Sequence, residues 1–556
     1  MEVVELASNI DSFIAIDAGG SKLRGFDSAS NAYFNGSGVT HTSSLALDLA
    51  RNIAAAIPAE ISEVETLVLS LAAIPQKPED QQLLAAAILQ RLKFMSLLIV
   101  SDTKAGALSS DALTDLTIVV GTGITALVNT PSGNFELTGH GYLIGDEASG
   151  YWIGRNAVNA ALRASENRGP QTLLLKYAED FYQTPADQLA DFLHQLASPV
   201  VQIAAFAPNV VLAAQAGDAQ AELILDQAAQ EITTLISVAK ERAQIKTVAL
   251  IGGAIPHGEL LHSKVVEASH SLGVTFVNGA AEPLAGACAI ARDKKLQSGL
   301  VKIDSKEIDS TTWSQLYLAN AEALLAQVRQ TQQAAVATCV DFFVDALSKN
   351  KMIHTFGTGH SHLLAEEIFY RAGGLATIYP ILDERLMLHK DVVKGSQYER
   401  LPNLAQELLD KHPVVEGDVV IVISNSGGNQ VTIDLVKLAK KAGAKVIAVT
   451  SVNHATSSQA RSKAAEKIHQ LADVVLDNSG VVGDASVRVA GSLMSVGPTS
   501  TVIGGALLQS VVVGTVAELI KRGVQPEIFL SSNLAQGDEN NAALFDKYRS
   551  LIDLYN

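Results

Sequence analysis

Short β-branched runs that end in glycine, serine or threonine recur along the whole 556-residue chain. Examples are FIAIDAG at 13, LTIVVGTG at 116, KTVALIGGA at 246 and DVVIVISNSG at 418, with alanine- and leucine-rich stretches between them. Strand patterns that alternate with helical patterns are typical of α/β folds with largely parallel sheets. Ligands of such sheets bind at the carboxyl ends of the strands, so the small and hydroxylated residues after each run are the first candidates for a binding site.

The alternating pattern is interrupted once, about half-way along the chain. The segment LVKIDSKEIDSTTWS at 300–314 is polar, and an alanine- and glutamine-rich helical stretch follows at 315–347. A chain of this length also exceeds what one hydrophobic core usually organises. We therefore predict an N-terminal α/β domain at 1–297, a linker at 298–314 and a C-terminal α/β domain at 315–556.

Composition narrows the class of protein further. Hydrophobic residues make up 48% of the chain and charged residues 18%, which excludes a disordered or fibrous protein. The net charge of −17 repels polyanions, so we expect no nucleic acid partner. Two cysteines, Cys288 and Cys339, give neither a disulfide framework nor a thiolate metal site, and they suit a reducing cytoplasm.

No segment predicts export or a membrane anchor. The first residues, MEVVELASNID, lack the basic region and the apolar core of a signal peptide. The longest apolar stretch, at 501–520, contains Gln509, Ser510 and Glu518. We therefore predict a helix buried inside an α/β domain, no membrane contact and a cytoplasmic protein.

Two strand patterns in the N-terminal half, FIAIDAGGSK and TIVVGTGIT, each lead into a glycine-rich turn. Because glycine has no Cβ atom, backbone N–H groups can approach a phosphate there, and an aspartate at a strand end can hold hydrated Mg²⁺. This repetition of a strand and a glycine-rich turn predicts a duplicated fold with one phosphate turn in each half. The candidate residues are Asp17, Gly19, Gly20, Ser21 and Lys22 in the first turn, and Gly121, Thr122 and Gly123 in the second.

A third element, SDTKAGAL, places Asp102 directly after the strand pattern SLLIV. A carboxylate in this position can accept the proton of an attacking hydroxyl group. The alternative is an ordinary helix N-cap. Together with the two phosphate turns, the pattern favours a catalytic base.

These segments resemble the N-acetylglucosamine kinase and BadF/BadG group of the actin-like ATPase superfamily over residues 10–295. The most specific match is GHGYLIGDEASGYWIG at 139–154, and LIGGA at 250 and EPLAGACAIA at 282 add to it. The resemblance implies a duplicated actin-like ATPase (ribonuclease H-like) kinase fold that uses ATP and Mg²⁺.

The same resemblance implies a role for each candidate residue. Asp17 and the turn at 19–22 would face the γ-phosphate and Mg²⁺, and Asp102 would be the base. The second phosphate turn would be Gly121, Thr122 and Gly123, with Gly252 and Gly253 beside the adenosine. Asp146 and Glu147 would bind sugar hydroxyls, and His140 is either a substrate contact or a structural residue.

Four turns in the C-terminal half are rich in hydroxyl groups. They are TFGTGHSH at 355, SNSG at 424, TS at 450 and PTST at 498, each at a junction of a strand or loop with a helix. The free N–H groups of a helix N-terminus suit an anion such as a sugar phosphate. Because these turns contain no Walker lysine, they predict a monoester phosphate and not a nucleoside triphosphate.

Residues 320–556 resemble stand-alone sugar isomerase (SIS) proteins through FGTGHSH, AEEIFYRAGG, SNSG and PTSTVIG. The resemblance implies a parallel sheet flanked by helices that binds a phosphosugar. It assigns the phosphosugar to Ser361, Ser424, Ser426, Thr499, Ser500 and Thr501. Since SIS domains of this kind commonly dimerise, we also expect a homodimer or a higher homo-oligomer.

Aldose–ketose isomerisation needs acid/base groups near C1 and C2 of the sugar. The candidates are His360, inside the first hydroxyl-rich turn, and Glu366 and Glu367, on the helix that follows. For each glutamate, a solvated helix face is the alternative. Lyase cleavage of the lactyl ether in N-acetylmuramic acid 6-phosphate uses the same fold, and nothing in the sequence separates it from isomerisation.

One site that makes a sugar phosphate and another that holds one suggest consecutive steps. We predict an ATP- and Mg²⁺-dependent kinase for an N-acetylglucosamine-like amino sugar, joined to a domain that binds and isomerises a phosphosugar. Its partners would be small-molecule sugars and phosphosugars. The alternatives are a SIS domain that only senses a phosphosugar and regulates the kinase, an etherase-like lyase, and an ATPase that drives conformational change.

Overall fold

The computed structural model contains two compact units, residues 1–312 and 313–556, called here the N-terminal and C-terminal units. The residues that the structure describes are 12–19, 22–38, 44–109, 114–130, 133–196, 199–256, 259–277, 282–459, 466–534 and 536–555.

Strands and helices alternate through the N-terminal unit. The strands are β1 (Phe13–Ala18), β2 (Lys22–Asp27), β3 (Ala32–Ser37), β4 (Glu63–Leu71), β5 (Lys93–Ser101), β6 (Leu116–Val120), β7 (Ile124–Thr130), β8 (Gly133–Leu137), β9 (Thr247–Ile251), β10 (Thr275–Val277) and β11 (Val301–Asp304). The helices are α1 (Leu45–Ala56), α2 (Pro78–Ile88), α3 (Asp102–Ala107), α4 (Gly150–Ser165), α5 (Leu173–Tyr182), α6 (Ala186–Gln195), α7 (Pro199–Ala204), α8 (Ala207–Gln215), α9 (Ala219–Ala243), α10 (Leu260–Ala268) and α11 (Pro283–Arg292).

The two sheets of the N-terminal unit repeat one topology. Their strand orders are β11-β5-β4-β1-β2-β3 and β10-β9-β6-β7-β8. In the first sheet β1 pairs antiparallel with β2 and parallel with β4, and in the second β6 pairs antiparallel with β7 and parallel with β9. The predicted duplication is confirmed.

Burial explains which runs became central strands. The strand β1 reads FIAIDA and is buried except at Asp17, whereas the edge strand β3 reads AYFNGS and is half-buried or exposed along its length. Parallel strands covered on both faces are continuously apolar, as β1 is. Polar side chains at the end of such a strand therefore mark the sheet edge where a site can form.

The C-terminal unit is built around one further sheet. Its strands are β12 (Ile353–Gly357), β13 (Ile378–Pro380), β14 (Val419–Ile423), β15 (Lys445–Thr450), β16 (Val474–Asp477), β17 (Ala485–Val487) and β18 (Val496–Pro498). Its helices are α12 (Ser310–Thr331), which begins just before the unit boundary, α13 (Gln333–Ser348), α14 (Ser361–Glu367), α15 (Val392–Tyr398), α16 (Leu404–Lys411), α17 (Gln430–Lys441), α18 (Val452–Thr456), α19 (Ile468–Leu471), α20 (Ser500–Lys521) and α21 (Gly537–Tyr548).

All five strands of this sheet are parallel, in the order β13-β12-β14-β15-β16. One face packs on α13, α14 and α20, and the other packs on α16 and α17. The turns after β12, β14, β15 and β16 therefore share the carboxyl edge of the sheet. The remaining pair, β17 and β18, forms a separate antiparallel hairpin.

The segment predicted as a linker, 298–314, contains a strand. Its residues Val301–Asp304 form β11, which pairs antiparallel with β5 at the edge of the first sheet. Ile303 of this strand is buried. This part of the segment therefore belongs to the sheet. The polar residues on both sides of the short apolar alternation explain why the sequence predicts a linker here.

By length and composition, α20 qualifies as a membrane-crossing helix among the described residues, and the bent pair 199–215 and 219–243 would be a second if counted as one span. One face of α20 nevertheless joins the core of the C-terminal unit through Ile503, Leu507 and Leu508. This is the arrangement expected of a helix inside an α/β domain.

Candidate active sites

The first phosphate turn follows β1. Asp17 is half-buried at the end of that strand, and the N–H of Gly19 donates to the carbonyl of Lys22 at 3.0 Å, which closes the turn. Lys22 is exposed at the start of β2. Gly20 and Ser21 lie outside the described residues.

Asp17 has two partners that sequence reasoning missed. Arg24 donates from Nη2 to Oδ2 of Asp17 at 2.8 Å and from Nη1 to Glu282 at 3.1 Å. The hydroxyl of Ser70 donates to Oδ1 of Asp17 at 3.3 Å. Both partners face Asp17 across strand pairs, Arg24 on β2 and Ser70 on β4. Only the strand register brings these residues together.

Asp102 is the first residue of α3, and the residue before it caps the helix. The Ser101 hydroxyl accepts the N–H of Lys104 at 3.2 Å, so the alternative N-cap role belongs to Ser101. The carboxylate of Asp102 accepts the N–H of Thr103 at 2.7 Å. Burial raises the pKa of Asp102, and the negative charge of Asp17 raises it further. The helix α3 contacts β5 of the first sheet and β7 of the second, so Asp102 lies where the duplicated halves meet.

The segment at 139–154, which is the most specific sequence motif, packs against the second phosphate turn. The N–H of Gly121 donates to the carbonyl of Gly123 at 2.9 Å. At the start of α4, the N–H of Gly150 donates to the Gly121 carbonyl at 2.8 Å, and that of Tyr151 to the Thr122 carbonyl at 3.1 Å. A Cβ atom on Gly150 would lie 2.8 Å from the Gly121 carbonyl oxygen. The motif thus fixes the turn by backbone contact.

The LIGGA segment closes over the end of β6 beside the same turn. The N–H of Ala254 donates to the carbonyl of Val120 at 3.0 Å. Gly252 has a φ of +122°, and a Cβ atom there would lie 2.2 Å from the Val120 carbonyl oxygen. At Gly253 no heavy atom of the described residues, apart from its chain neighbours, lies within 4 Å of the Cβ position. Gly252 is therefore required by the fold, whereas Gly253 faces open space that a ligand can fill.

Asp146, predicted to bind sugar, packs against the second phosphate turn. A Cβ atom on Gly123 would lie 2.8 Å from Oδ2 of Asp146. Burial raises the pKa of Asp146, although its carboxylate accepts hydrogen bonds from the N–H groups of Gly141 and Ile124. Asp146 also has a left-handed backbone conformation, with φ of 61°. The neighbouring candidates His140 and Glu147 are exposed.

The carboxylates near the first turn suit a magnesium ion held with a nucleotide. Mg²⁺ in phosphate-transfer sites is usually bound by one or two carboxylates together with substrate phosphates. Asp17 and Asp102 are close enough for the charge of one to raise the pKa of the other, and both offer hard oxygen donors. Among the described residues no cluster of three or more His, Cys, Asp or Glu could hold a metal alone. The donor set therefore fits Mg²⁺ that arrives with the nucleotide.

In the C-terminal unit, a cavity of about 120 Å³ lies at the carboxyl edge of the sheet. It brings together four predicted site residues, His360, Ser361, Ser500 and Thr501. Its other lining residues are Leu364, Ile423, Asn425, Val449, Asn478 and Asp484. Among the described residues the lining contains no lysine or arginine, so an anion here depends on hydroxyl, amide, imidazole and backbone donors.

Three further predicted residues do not line the cavity, although each is the neighbour in sequence of a residue that does. Ser424 is buried, and its hydroxyl accepts the N–H of Gly427 at 3.1 Å, which shapes the turn after β14. Ser426 is half-buried in the same turn. Thr499 is fully buried, and its Oγ1 has no hydrogen-bond partner in the described part of the chain.

An internal carboxylate occupies the donors predicted for the phosphate. Asp484, before the hairpin of β17 and β18, accepts the N–H groups of Thr499 at 3.2 Å and Ser500 at 2.9 Å. It also accepts the Ser500 hydroxyl at 2.6 Å. These donors form the N-terminus of α20, where an anion is favoured. Sequence reasoning missed Asp484, because its partners come from the far side of the hairpin.

The predicted glutamates lie at the last turn of α14 and do not line the cavity. Glu366 is exposed, and Glu367 pairs with Arg371. A third glutamate, Glu399, does not line the cavity either, but it is half-buried and its Oε2 accepts from Nδ2 of Asn429 at 2.8 Å. Its Oε1 lies 3.8 Å from the Cβ position of Gly359, in the turn after β12. Glu399 therefore lies beside two of the hydroxyl-rich turns.

Comparison with protein families assigns both units. The model of the BadF/BadG/BcrA/BcrD ATPase family matches residues 13–290, and the SIS domain model matches residues 316–451. The chain belongs to the BadF/BadG/BcrA/BcrD ATPase family, and a SIS domain follows its ATPase domain. Both resemblances, the actin-like ATPase fold and the C-terminal SIS sheet are thereby confirmed. Because this is a family of ATPases, ATP is the expected nucleotide.

Individual proteins of known sequence or structure are also similar. UPF0309 protein lin2794 of Listeria innocua serovar 6a is 40% identical over 210 residues, which is 38% of this chain and 85% of that protein. UPF0309 protein BH3325 of Halalkalibacterium halodurans is 40% identical over 225 residues, 40% of this chain and 93% of that protein. A solved structure of a candidate N-acetylglucosamine kinase from Chromobacterium violaceum is 22% identical with a TM-score of 0.40, and the match covers 50% of this chain and 99% of that one.

Proposed function

We propose that the protein phosphorylates an N-acetylglucosamine-like amino sugar with ATP, and that its SIS domain binds and isomerises a phosphosugar. The position of Asp102 carries the kinase half of the proposal. It is a half-buried carboxylate on the helix that contacts both sheets, beside Asp17 and within an ATPase domain. A carboxylate at that junction can serve a substrate held between the duplicated halves.

In the proposed reaction, Asp102 accepts the proton of the sugar hydroxyl while the hydroxyl oxygen attacks the terminal phosphoryl group. The new oxygen–phosphorus bond replaces the bond to ADP, which leaves with the electron pair. The raised pKa of Asp102 makes it a stronger base than an ordinary aspartate. The glycine turns would position the phosphates, and bound Mg²⁺ would neutralise part of their charge.

The test of the kinase half is a sugar panel with the purified full chain. N-acetylglucosamine, glucosamine and N-acetylmuramic acid are each incubated with ATP and Mg²⁺, ADP release is followed, and the products are identified by mass spectrometry. We expect one sugar to stimulate ADP release and to appear as its 6-phosphate. Equal ADP release with and without every sugar would contradict a sugar kinase and favour the conformational ATPase.

For the SIS domain, we propose Glu399 and His360 as the acid/base pair. Glu399 would carry the proton between C2 and C1 of the sugar, and His360 would move the hydroxyl proton between O1 and O2. The exchange conserves all atoms and needs no oxidant. The proposal is supported by the location of Glu399 beside the turns at Gly359 and Asn429, and by His360 in the cavity lining.

Two observations favour the phosphosugar sensor as a second candidate. Asp484 already occupies the donors at the start of α20, and the cavity is smaller than the roughly 300–1,000 Å³ of typical ligand sites. A phosphosugar must therefore displace Asp484 or widen the cavity, and such a change can report binding.

Sugar 6-phosphates added to the full chain distinguish these roles. A new ketose phosphate supports the isomerase, and released lactate supports the etherase-like lyase. A changed kinase rate with chemically unaltered phosphosugar supports the sensor.

A further inference from the structure

A second and larger cavity lies in the C-terminal unit, at the opposite edge of its sheet. Its volume is about 690 Å³, within the roughly 300–1,000 Å³ typical of small-molecule sites. It is lined near the starts of β12 and β14 by His354 and Asp418. The hydroxyl-rich turns follow the carboxyl ends of the same strands, so this cavity is separate from the phosphosugar cavity.

A buried acid and a histidine form one wall. Asp418 accepts the N–H groups of Met352 at 3.0 Å and Val415 at 2.9 Å, and its other contact is Nε2 of His354 at 3.3 Å. Burial opposes ionisation of Asp418, but these hydrogen bonds outweigh it and lower its pKa. The charged carboxylate makes Nε2 of His354 a donor.

His354 is left with one unsatisfied atom. Its Nδ1 is buried and has no hydrogen-bond partner in the described part of the chain, and the residue is only 2% exposed. Buried polar atoms without partners are rare, so such an atom in a cavity wall needs an explanation. When Nε2 carries the proton, Nδ1 of His354 is an acceptor. Because this atom is buried, a ligand hydroxyl reaches it when neighbouring side chains of the cavity wall move.

The neighbouring polar groups satisfy one another. The hydroxyl of Tyr379 donates to Asp553 at 2.8 Å and lies 2.7 Å from Nδ1 of His412. Burial lowers the pKa of His412, which favours a neutral ring that donates from Nδ1 to the Tyr379 oxygen. These groups form a fixed wall in which Nδ1 of His354 is the exception.

The rim of the cavity is basic, although the chain as a whole is acidic. Lys351 and Lys411 both line it, and neither has an ion pair within the described ranges. Two other cations of the rim are paired outside it, Lys349 with Asp345 and Arg549 with Asp546. Two uncommitted ammonium groups near a hydroxyl acceptor suit a ligand that has both an anionic group and a hydroxyl group.

We propose that this cavity is a second ligand site, for a small hydroxylated anion whose phosphate or carboxylate group contacts Lys351 and Lys411 and whose hydroxyl donates to Nδ1 of His354. The ligand chemistry is that of a phosphorylated polyol or a hydroxy acid. The site uses neither the residues nor the sheet edge of the phosphosugar cavity.

Calorimetry on the full chain tests the anionic contact. Glycerol 3-phosphate and gluconate are the two probes, because one supplies phosphate and the other carboxylate. The double variant Lys351→Ala/Lys411→Ala should weaken binding of at least one probe about tenfold. The matched control is Lys437→Ala, an exposed lysine paired with Glu466. Equal binding by wild type and double variant, or equal weakening by the control, would overturn the proposal.

A crystallographic experiment locates the anion. Crystals soaked in selenate should show an anomalous peak in contact with Lys351 and Lys411. The turns at Ser424 and Ser500 serve as the internal comparison, since selenate can also mimic phosphate there. Peaks at those turns with none in the basic cavity would overturn the proposal.

A third measurement tests the hydroxyl contact of His354. Glutamine can keep the donor to Asp418 but has no atom equivalent to Nδ1. His354→Gln should weaken glycerol 3-phosphate about fivefold and leave inorganic phosphate within about twofold of wild type. The double lysine variant should weaken both. Loss of both probes in His354→Gln, with the thermal transition unchanged, would contradict the assigned contact.

Discussion

The two candidate active sites are built from different groups. In the N-terminal unit, glycine turns closed by backbone hydrogen bonds lie near three acids: Asp17, Asp102 and Asp146. In the C-terminal unit, hydroxyl-rich turns surround a small cavity whose single acid, Asp484, is hydrogen-bonded to the start of α20.

The difference lies in how negative charge is balanced. Asp17 is paired with Arg24, and the nucleotide that the ATPase family uses arrives with Mg²⁺. Among the described residues, the lining of the C-terminal cavity has no lysine or arginine, and His360 is the lining side chain that can offer an imidazole N–H to a phosphate beside Asp484. The first site thus pairs an acid with a cation, whereas in the second the donors at the start of α20 already hold a carboxylate.

The largest effect is expected from Asp102→Asn. Kinase turnover should fall by about 10²–10⁴-fold, because the amide cannot accept the hydroxyl proton, while the KM for ATP changes little. In the wild type, kcat/KM should fall as pH drops through the raised pKa of Asp102, since the base must be ionised. Initial rates of ADP release across pH measure both effects.

A matched control for this variant is Asp187→Asn, an exposed acid in the first turn of α6. It should retain wild-type turnover and the wild-type pH profile. Turnover in Asp102→Asn within a few-fold of wild type would remove Asp102 from the mechanism and leave the glycine turns as a binding device.

In the C-terminal unit, the next largest effect is expected from Glu399→Gln. Interconversion of the aldose and ketose phosphates should fall by about 10²-fold, with phosphosugar binding largely kept. Glu366→Gln is the control, because Glu366 is exposed and does not line the cavity. Coupled enzymatic assay of the ketose phosphate gives the rate. A loss confined to Glu366→Gln would restore the interpretation from sequence.

The sequence predicted central strands and the turns that follow them, because their signals are local. A β-branched run followed by glycine or serine marks both a strand and its carboxyl end, and the runs at 13, 116, 246 and 418 are confirmed as β1, β6, β9 and β14. The duplication followed from two such units. Asp102 was found for the same reason, since it directly follows β5.

The residues that sequence reasoning missed depend on register or on distant contacts. Arg24 and Ser70 meet Asp17 only because β2 and β4 pair with β1 in one particular register. Asp484 reaches Ser500 across a hairpin, and Glu399 approaches Gly359 from a separate segment. Spacing along the chain does not encode such contacts, so the sequence favours acids adjacent to a motif, such as Glu366.

Substitutions at two adjacent glycines of the N-terminal unit should separate an effect on folding stability from an effect on nucleotide binding. Gly252→Ala should lower the thermal midpoint by several degrees, because its φ is +122° and the added Cβ meets the Val120 carbonyl. Gly253→Ala should leave the midpoint unchanged and raise the KM for ATP about tenfold, because the methyl group enters the space assigned to adenosine. Calorimetry and ATP titration measure the two. An unchanged KM in Gly253→Ala would remove it from the nucleotide site.

The charge difference between the two sites predicts a gain in affinity from Asp484→Asn. The substitution removes the negative charge that lies beside the donors at the start of α20. Phosphosugar binding should tighten about tenfold, because the phosphate no longer competes with a carboxylate for these donors. Isothermal titration with a sugar 6-phosphate measures the change. Asp473→Asn, which removes an acid from the same unit outside the cavity, is the control. Weaker binding by Asp484→Asn would mean that Asp484 contacts the sugar itself.

The smallest effects concern stability, and they should have opposite signs at two aspartates of the N-terminal unit. Burial raises the folded-state pKa of Asp102, so stability falls as the pH rises from the unfolded pKa to the folded one and stays lower above it. Asp115 has a lowered pKa, because its carboxylate accepts the N–H groups of Lys246 and Thr247. It therefore stabilises the fold above its unfolded pKa, and this stabilisation is lost as the pH falls through the folded-state pKa.

At pH 7, Asp102→Asn should raise the thermal midpoint and Asp115→Asn should lower it, each by about 1–3 °C. Both differences should vanish at low pH, where both carboxyl groups are protonated in the folded and unfolded chain. A lower thermal midpoint for Asp102→Asn at pH 7 would contradict this prediction, because it would show that the ionised carboxylate stabilises the fold.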